Sequence, residues 1–143
     1  MICLIAVMSI YNQIGTVNTV TRKADFRERI EVCETIIEET ERQGINSTLA
    51  IAVAFEESRL MEGIKSSKGA IGPMQILPKY WCDHDKKCDP IEAGVRALKY
   101  YINTSEDYRQ ALRKYAGAGV RARKYSARVI RIYDHFEIIL DML

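Results

Sequence analysis

The stretch LAIAVAF, residues 49–55, is apolar on every side when wound as a helix. Such a helix has no face to give to water, so it belongs at the centre of whatever the chain folds into. Asn46 or Ser47 can cap its start. The segment spans roughly residues 48–59 and closes on two adjacent carboxylates, Glu56 and Glu57. The rest of the chain must supply the layers around it.

Helical spacing supplies them. From Ala24 to about Gln43 the residues Phe26, Ile30, Cys33, Ile36 and Ile37 recur on one face, and Gly44 is a natural stop. Residues 60–80 carry Gly63, Gly69, Gly72, Pro73 and Pro78 and read as loop, with room for one helical turn around MQIL. DPIEAGVRALKYYI reads as a helix with Asp89 as N-cap, Pro90 at its first position and Glu92 as capping-box partner. Ser105 can cap a short helix that ends near YAGAG, with Asp107 at its opening either capping or solvated. A last helix runs from about Val120 to Met142, where Tyr125, Val129, Ile132, Phe136 and Ile139 step along one face. No alternating pattern of useful length occurs, so the fold class is mostly α, leaving room for a short β-hairpin in the 60s or 80s.

The 143 residues make one domain's worth of chain, 48% hydrophobic and 28% charged, which is a globular composition. A net charge of +2 gives no ground for a nucleic-acid partner. The run MICLIAVMSI is too short to span a bilayer and lacks a basic lead, since the first charge is Arg22. It reads as a signal remnant, a weak anchor or a helix packed on the domain. With the polar, β-branched residues 11–22 as a linker, this divides the chain into an N-terminal segment, 1–22, and a globular domain, 23–143. Membrane contact is then expected only through residues 1–10. Of the four cysteines, Cys82 and Cys88 bracket CDHDKKC, a spacing that fits no common zinc pattern. A short disulfide loop and an oxidising compartment are favoured over two free thiols.

The two glutamates raise a chemical question. A carboxyl at the C-terminal end of a buried helix is pushed towards its protonated form by desolvation and by the helix dipole. Arg59 opposes this if it makes contact. A glutamate so placed is a general acid; the plainer alternative is a pair of solvated helix-end charges. Ten to twenty residues on, SSKGAIGPMQILP sets polar Ser66, Ser67 and Gln75 among residues that allow tight turns and close backbone approach. Gln75 can both donate and accept. An ordinary surface loop would have the same composition. No convincing second carboxylate appears: Asp83 and Asp85 lie in the cysteine loop.

Taken together, ESRL, SSKGAIGPMQILP and ALRKYAGAG resemble the catalytic domain of soluble lytic transglycosylases, the goose-lysozyme-like branch of the lysozyme superfamily, over roughly residues 46–136. The family pattern is a Glu-Ser pair, then Ser-x-x-Gly-Ala-x-Gly-x-Met-Gln-x-x-Pro, then Ala-x-x-x-Tyr-Asn-x-Gly. The resemblance implies a lysozyme-like single domain with Glu57 as the acid and Glu56 as its bystander. It places Ser66, Gly69, Ala70, Gly72, Met74 and Gln75 in the motif, with Met74 and Gln75 lining a groove beside N-acetyl groups. Tyr115 would lie near the acid. Tyr125, in RKYSARVIRIY, resembles a tyrosine of the closing helix and is either a core aromatic or part of the groove. Ala116 stands where the family usually has Asn, so any sugar contact of that side chain is missing or supplied elsewhere.

The implied function is cleavage of the β-1,4 bond between N-acetylmuramic acid and N-acetylglucosamine in peptidoglycan, by one acid/base and with a 1,6-anhydro product. Tyr115 would orient the acetamido group. No metal or organic cofactor is called for. The alternatives are a muramidase using the same acid and an inactive peptidoglycan-binding relative. Arg121, Arg123, Lys124, Arg128 and Arg131 share one helix and read as a solvated face, or one that meets anionic wall components, before they read as a nucleic-acid surface. A monomer facing the cell wall or periplasm is expected, exported or delivered by a phage or secretion apparatus.

Overall fold

In the computed structural model, which describes residues 1–14, 19–83 and 87–143, the described residues form seven helices. In chain order these are α1 (Ile2–Ile14), α2 (Thr19–Gln43), α3 (Ser47–Ser58), α4 (Pro78–Trp81), α5 (Pro90–Asn103), α6 (Tyr108–Ala116) and α7 (Gly119–Met142). None of them is long and apolar enough to cross a membrane. The mostly α, small single-domain reading therefore holds.

The apolar segment is the centre of the fold. Leu49 to Phe55 are all buried in α3, which packs against α2, α7 and α1. Asn46 is the cap: its Oδ1 accepts from the Leu49 N–H at 2.9 Å. Gly44, at φ +76°, turns the chain out of α2, and its N–H closes on the Thr40 carbonyl at 2.8 Å. The far end of α3 is stopped by two residues in the left-handed region, Arg59 (φ 56°) and Leu60 (φ 62°). Each costs about 1–2 kcal/mol. Complete burial of the Leu60 side chain offsets this by about 1.5–3 kcal/mol. Burial therefore holds the turn that brings the helix end with Glu56 and Glu57 to the surface.

The chain after α3 lies against α5. Isolated antiparallel bridges pair Lys65 with Ile71 and Ile71 with Ile76. The turn Gly72–Gln75 lies between them, and no strand forms among the described residues. The helical turn expected at MQIL is this hydrogen-bonded turn, and α4 begins after it, at Pro78. Two glycines let it sit close. A Cβ on Gly72 would stand 2.4 Å from Pro90 Cβ, and one on Gly94 would stand 2.7 Å from Met74 Cβ. Asp89 caps α5 through Ile91 and Glu92 N–H groups.

Two expected caps are corrected. Glu92 does not reach back to Asp89; its carboxylate takes Arg96 Nε at 2.9 Å, the nearer charged partner one turn on. Ser105 does not cap α6: Asp107 does, accepting from the Gln110 N–H at 2.8 Å, while the Ser105 hydroxyl is buried without a partner.

At the N-terminus, Cys3, Ala6, Val7 and Ile10 bury one face of α1 in the same core as α3. A Cys3–Cys33 disulfide joins α1 to α2. The lead-in expected over residues 11–22 is helical at 11–14 and 19–22, and the boundary expected after residue 22 falls inside α2.

Candidate active site

A cleft of about 540 Å³ opens where the end of α3 meets the 66–77 segment, α4, α5, α6 and the start of α7. Glu56 and Glu57 come to it from α3, Ser66 and Gln75 from the segment after it, Tyr80 and Trp81 from α4, and Tyr101 from α5. Tyr115, Arg121, Tyr125 and Arg128 complete it from α6 and α7.

The wall formed by the segment after α3 is fixed at two successive carbonyls. Ser58 Oγ donates to the Pro73 carbonyl at 2.7 Å, and the Tyr115 hydroxyl donates to the Met74 carbonyl at 2.5 Å. Ser58 also accepts from the Met61 N–H at 3.2 Å. The serine after the acid thus ties the helix end to the glycine-rich segment, a role not evident from sequence. Gln75 sits at φ 52° and donates its Nε2 to the carbonyls of Ile64 and Gly72, at 3.0 and 2.9 Å. Its donors are committed within the loop, so towards the cleft it offers its carbonyl oxygen. Ser66 Oγ accepts from the Ala70 N–H at 3.0 Å and keeps its own proton for donation. Gly69, at φ +87°, makes the turn behind Ser66 and does not itself line the cleft.

Met74 departs from expectation. Its side chain is fully buried against Gly94 and lies outside the cleft, because the turn points it into the α5 interface. The motif sets Met74 beside Gln75 in sequence, but consecutive residues in a tight turn face different ways. Tyr115 does line the cleft, but its hydroxyl proton is committed to Met74.

The two glutamates have separate environments. Arg128 Nε donates to Glu56 Oε1 at 2.5 Å, and Arg59 approaches Glu56 at 3.9 Å. Arg59 also lies over the Phe55 ring, so it serves Glu56 and the helix end. Glu57 has no ion pair among the described residues. Desolvation raises its pKa to about 7, with the neighbouring Glu56 charge adding to the rise, while Tyr125, Arg128 and Arg121 pull it back. The Tyr125 hydroxyl is buried beside this carboxyl and favours its charged form, and it has no other hydrogen-bond partner among the described residues. Burial pushes the tyrosine itself well above its ordinary range, so it remains a donor.

The basic run of α7 divides by helical spacing. Arg121, Tyr125 and Arg128 fall on the face that lines the cleft; Arg123, Lys124 and Arg131 are exposed outside it. The cleft's aromatic wall was not legible beforehand. Trp81 packs edge-on to Tyr101 at 5.8 Å, and Tyr101 to Tyr115 at 6.2 Å. The only hint was the single tryptophan next to Cys82. Cys82 and Cys88 are disulfide-bonded, joining the end of α4 to the residue before the α5 cap. His84 and Asp85 lie outside the described residues.

A family model described as Transglycosylase SLT domain matches residues 34–131. That span holds every residue lining the cleft. No curated protein and no solved structure gives a match.

Proposed function

The chain belongs to the transglycosylase SLT domain family, whose lysozyme-like members act on peptidoglycan, and from that premise we propose that it is a lytic transglycosylase with Glu57 as its one acid and base. The observation that carries this reading is the half-buried Glu57 carboxyl at the edge of the cleft, raised by desolvation to a pKa of about 7. A group whose pKa matches the working pH can give a proton and take one back in a single cycle.

In the first step the Glu57 carboxyl protonates the glycosidic oxygen between N-acetylmuramic acid and N-acetylglucosamine. The C1–O bond breaks as the muramyl acetamido oxygen attacks C1 from the other side. In the second step the Glu57 carboxylate takes the proton of the sugar's 6-hydroxyl, whose oxygen displaces the acetamido oxygen at C1. The product is a 1,6-anhydro sugar, and no water is consumed. The Tyr125 hydroxyl, which lies beside Glu57 and favours its charged form, supports the carboxylate between the steps. Tyr115, whose hydroxyl donates to the Met74 carbonyl, has no proton left to orient the acetamido oxygen. Tyr80, Trp81 and Tyr101 give the sugars aromatic faces to pack on.

Most glycosidases pair two carboxylates across the bond. Here the other acid lining the cleft, Glu56, neighbours Glu57 in sequence and is engaged by Arg128. That arrangement favours the one-acid route over a muramidase that must activate water. The two disulfides support a wall-facing, oxidising location.

The test is digestion of peptidoglycan sacculi by the native chain and by Glu57→Gln, with products read by mass spectrometry. Anhydro-muropeptides from the native chain alone are expected. Reducing-end products one water heavier would replace this reading with hydrolysis, and no release from several wall types would replace it with binding alone.

A further inference from the structure

The cleft is richer in cations than its chemistry requires. Lys68, Lys114, Arg121 and Arg128 line it against only Glu56 and Glu57, in a chain whose whole net charge is +2. Arg128 is paired with Glu56, and the Lys114 ammonium donates to the Thr104 carbonyl at 2.5 Å. Lys68 and Arg121 have no carboxylate partner among the described residues. Arg121 sits one turn before Tyr125, near enough to Glu57 to favour its charged form. Helix α7 also begins here: Gly117 lines the cleft, and Ala118 at the N-cap supplies no side-chain acceptor. The first-turn N–H groups lack a side-chain cap and add positive potential.

A cleft with surplus donors and unpaired cations suits an anion. The neutral hydroxyl and acetamido groups of a glycan give Arg121 and Lys68 nothing to pair with. Muramic acid carries a free carboxylate on its lactyl ether where no peptide is attached; where one is, that carboxyl is an amide and the peptide carries the carboxylates instead. We infer that Arg121, with Lys68 from the 66–70 turn, holds a carboxylate borne on the muramic-acid side of the strand, and so selects carboxylate-bearing strands over neutral ones. This rests on the peptidoglycan reading of the cleft and deepens it.

The test uses the full chain carrying Glu57→Gln, so that strands stay intact, and measures binding by calorimetry. Three ligands are compared: peptide-bearing strands, strands stripped of peptide so that lactyl carboxylates are free, and strands whose carboxyls are converted to amides. Adding Arg121→Gln, or Lys68→Gln, should weaken binding of the carboxylate-bearing strands about fivefold at low salt, with the difference vanishing as salt rises. Binding of amidated strands should not change. Arg121→Lys should retain most of the affinity, and Arg131→Gln, outside the cleft, should match the parent. Loss on stripped strands assigns the lactyl carboxylate; loss confined to peptide-bearing strands assigns the stem. Equal loss on amidated strands, no loss on any, or no binding of any strand overturns the inference. If the chain with Glu57 restored binds these strands in the same selective way yet cuts none, the transglycosylase reading fails while carboxylate recognition stands.

Discussion

Arg128 donates to Glu56 Oε1 at 2.5 Å and so occupies one of two adjacent glutamates, leaving the other to the cleft. Helical geometry makes this possible. Consecutive residues on α3 point about 100° apart, and Arg128 lies on the α7 face that meets only the first of them directly.

The pH dependence follows from Glu57. Its folded pKa of about 7 lies above the ordinary carboxyl value of 4.5, so the native state favours the protonated form. The fold is therefore penalised as pH rises from 4.5 through 7, and the penalty is complete above 7, at about 3 kcal/mol. Glu57→Gln should be more stable than the native chain at pH 8, with the gap closing as pH falls towards 4.5. Thermal melts at several pH values check this. Turnover should fall by about 100-fold or more in the variant.

Removing Arg128 should act on Glu57 at a distance. Arg128→Gln takes away a positive charge that lowers the Glu57 pKa. The alkaline fall of the activity profile should therefore move to higher pH. The lost ion pair is partly exposed, so Tm should change little, within about 1 kcal/mol of stability. A profile that moves the other way would contradict the assignment.

Ser58→Ala leaves the Pro73 carbonyl without its donor. A cost of about 1–2 kcal/mol is expected, seen in urea denaturation. Activity should fall further than stability alone explains, because one of the two carbonyl anchors of the cleft wall is then lost. Ser58→Thr, which keeps the hydroxyl, should recover part of both.

The two disulfides should differ in weight. Cys3–Cys33 spans a separation of 30 residues and Cys82–Cys88 one of 6. Loop-closure entropy then assigns them about 3–4 and about 2 kcal/mol. Paired serine substitutions at Cys3 and Cys33 should lower Tm more than those at Cys82 and Cys88. Only the second pair, next to Trp81, should also change substrate affinity.

Sequence disclosed the elements whose physics is local. LAIAVAF had to be buried, Gly44 had to stop a helix, and Asp89 before Pro90 had to start one. It was less informative wherever several partners compete in space. Glu92 had a choice between its own cap and Arg96. Ser105 and Asp107 both offered an oxygen to α6, and the carboxylate took the position. Met74 and Gln75 share a motif, yet only the folded turn decides that one faces α5 and the other the cleft. The hydroxyl of Tyr115 and the side of α7 that carries Arg121 are likewise fixed by packing between distant segments.

The burial of α3 carries a consequence for how the chain reaches its native state. One side of this helix is covered by α7, with three other helices intervening in sequence. Until α7 emerges and docks, LAIAVAF remains an open apolar surface, available to any other incomplete chain nearby. Completion of the core therefore waits on the synthesis of α7, and until then the nascent chain carries this apolar side of α3 uncovered.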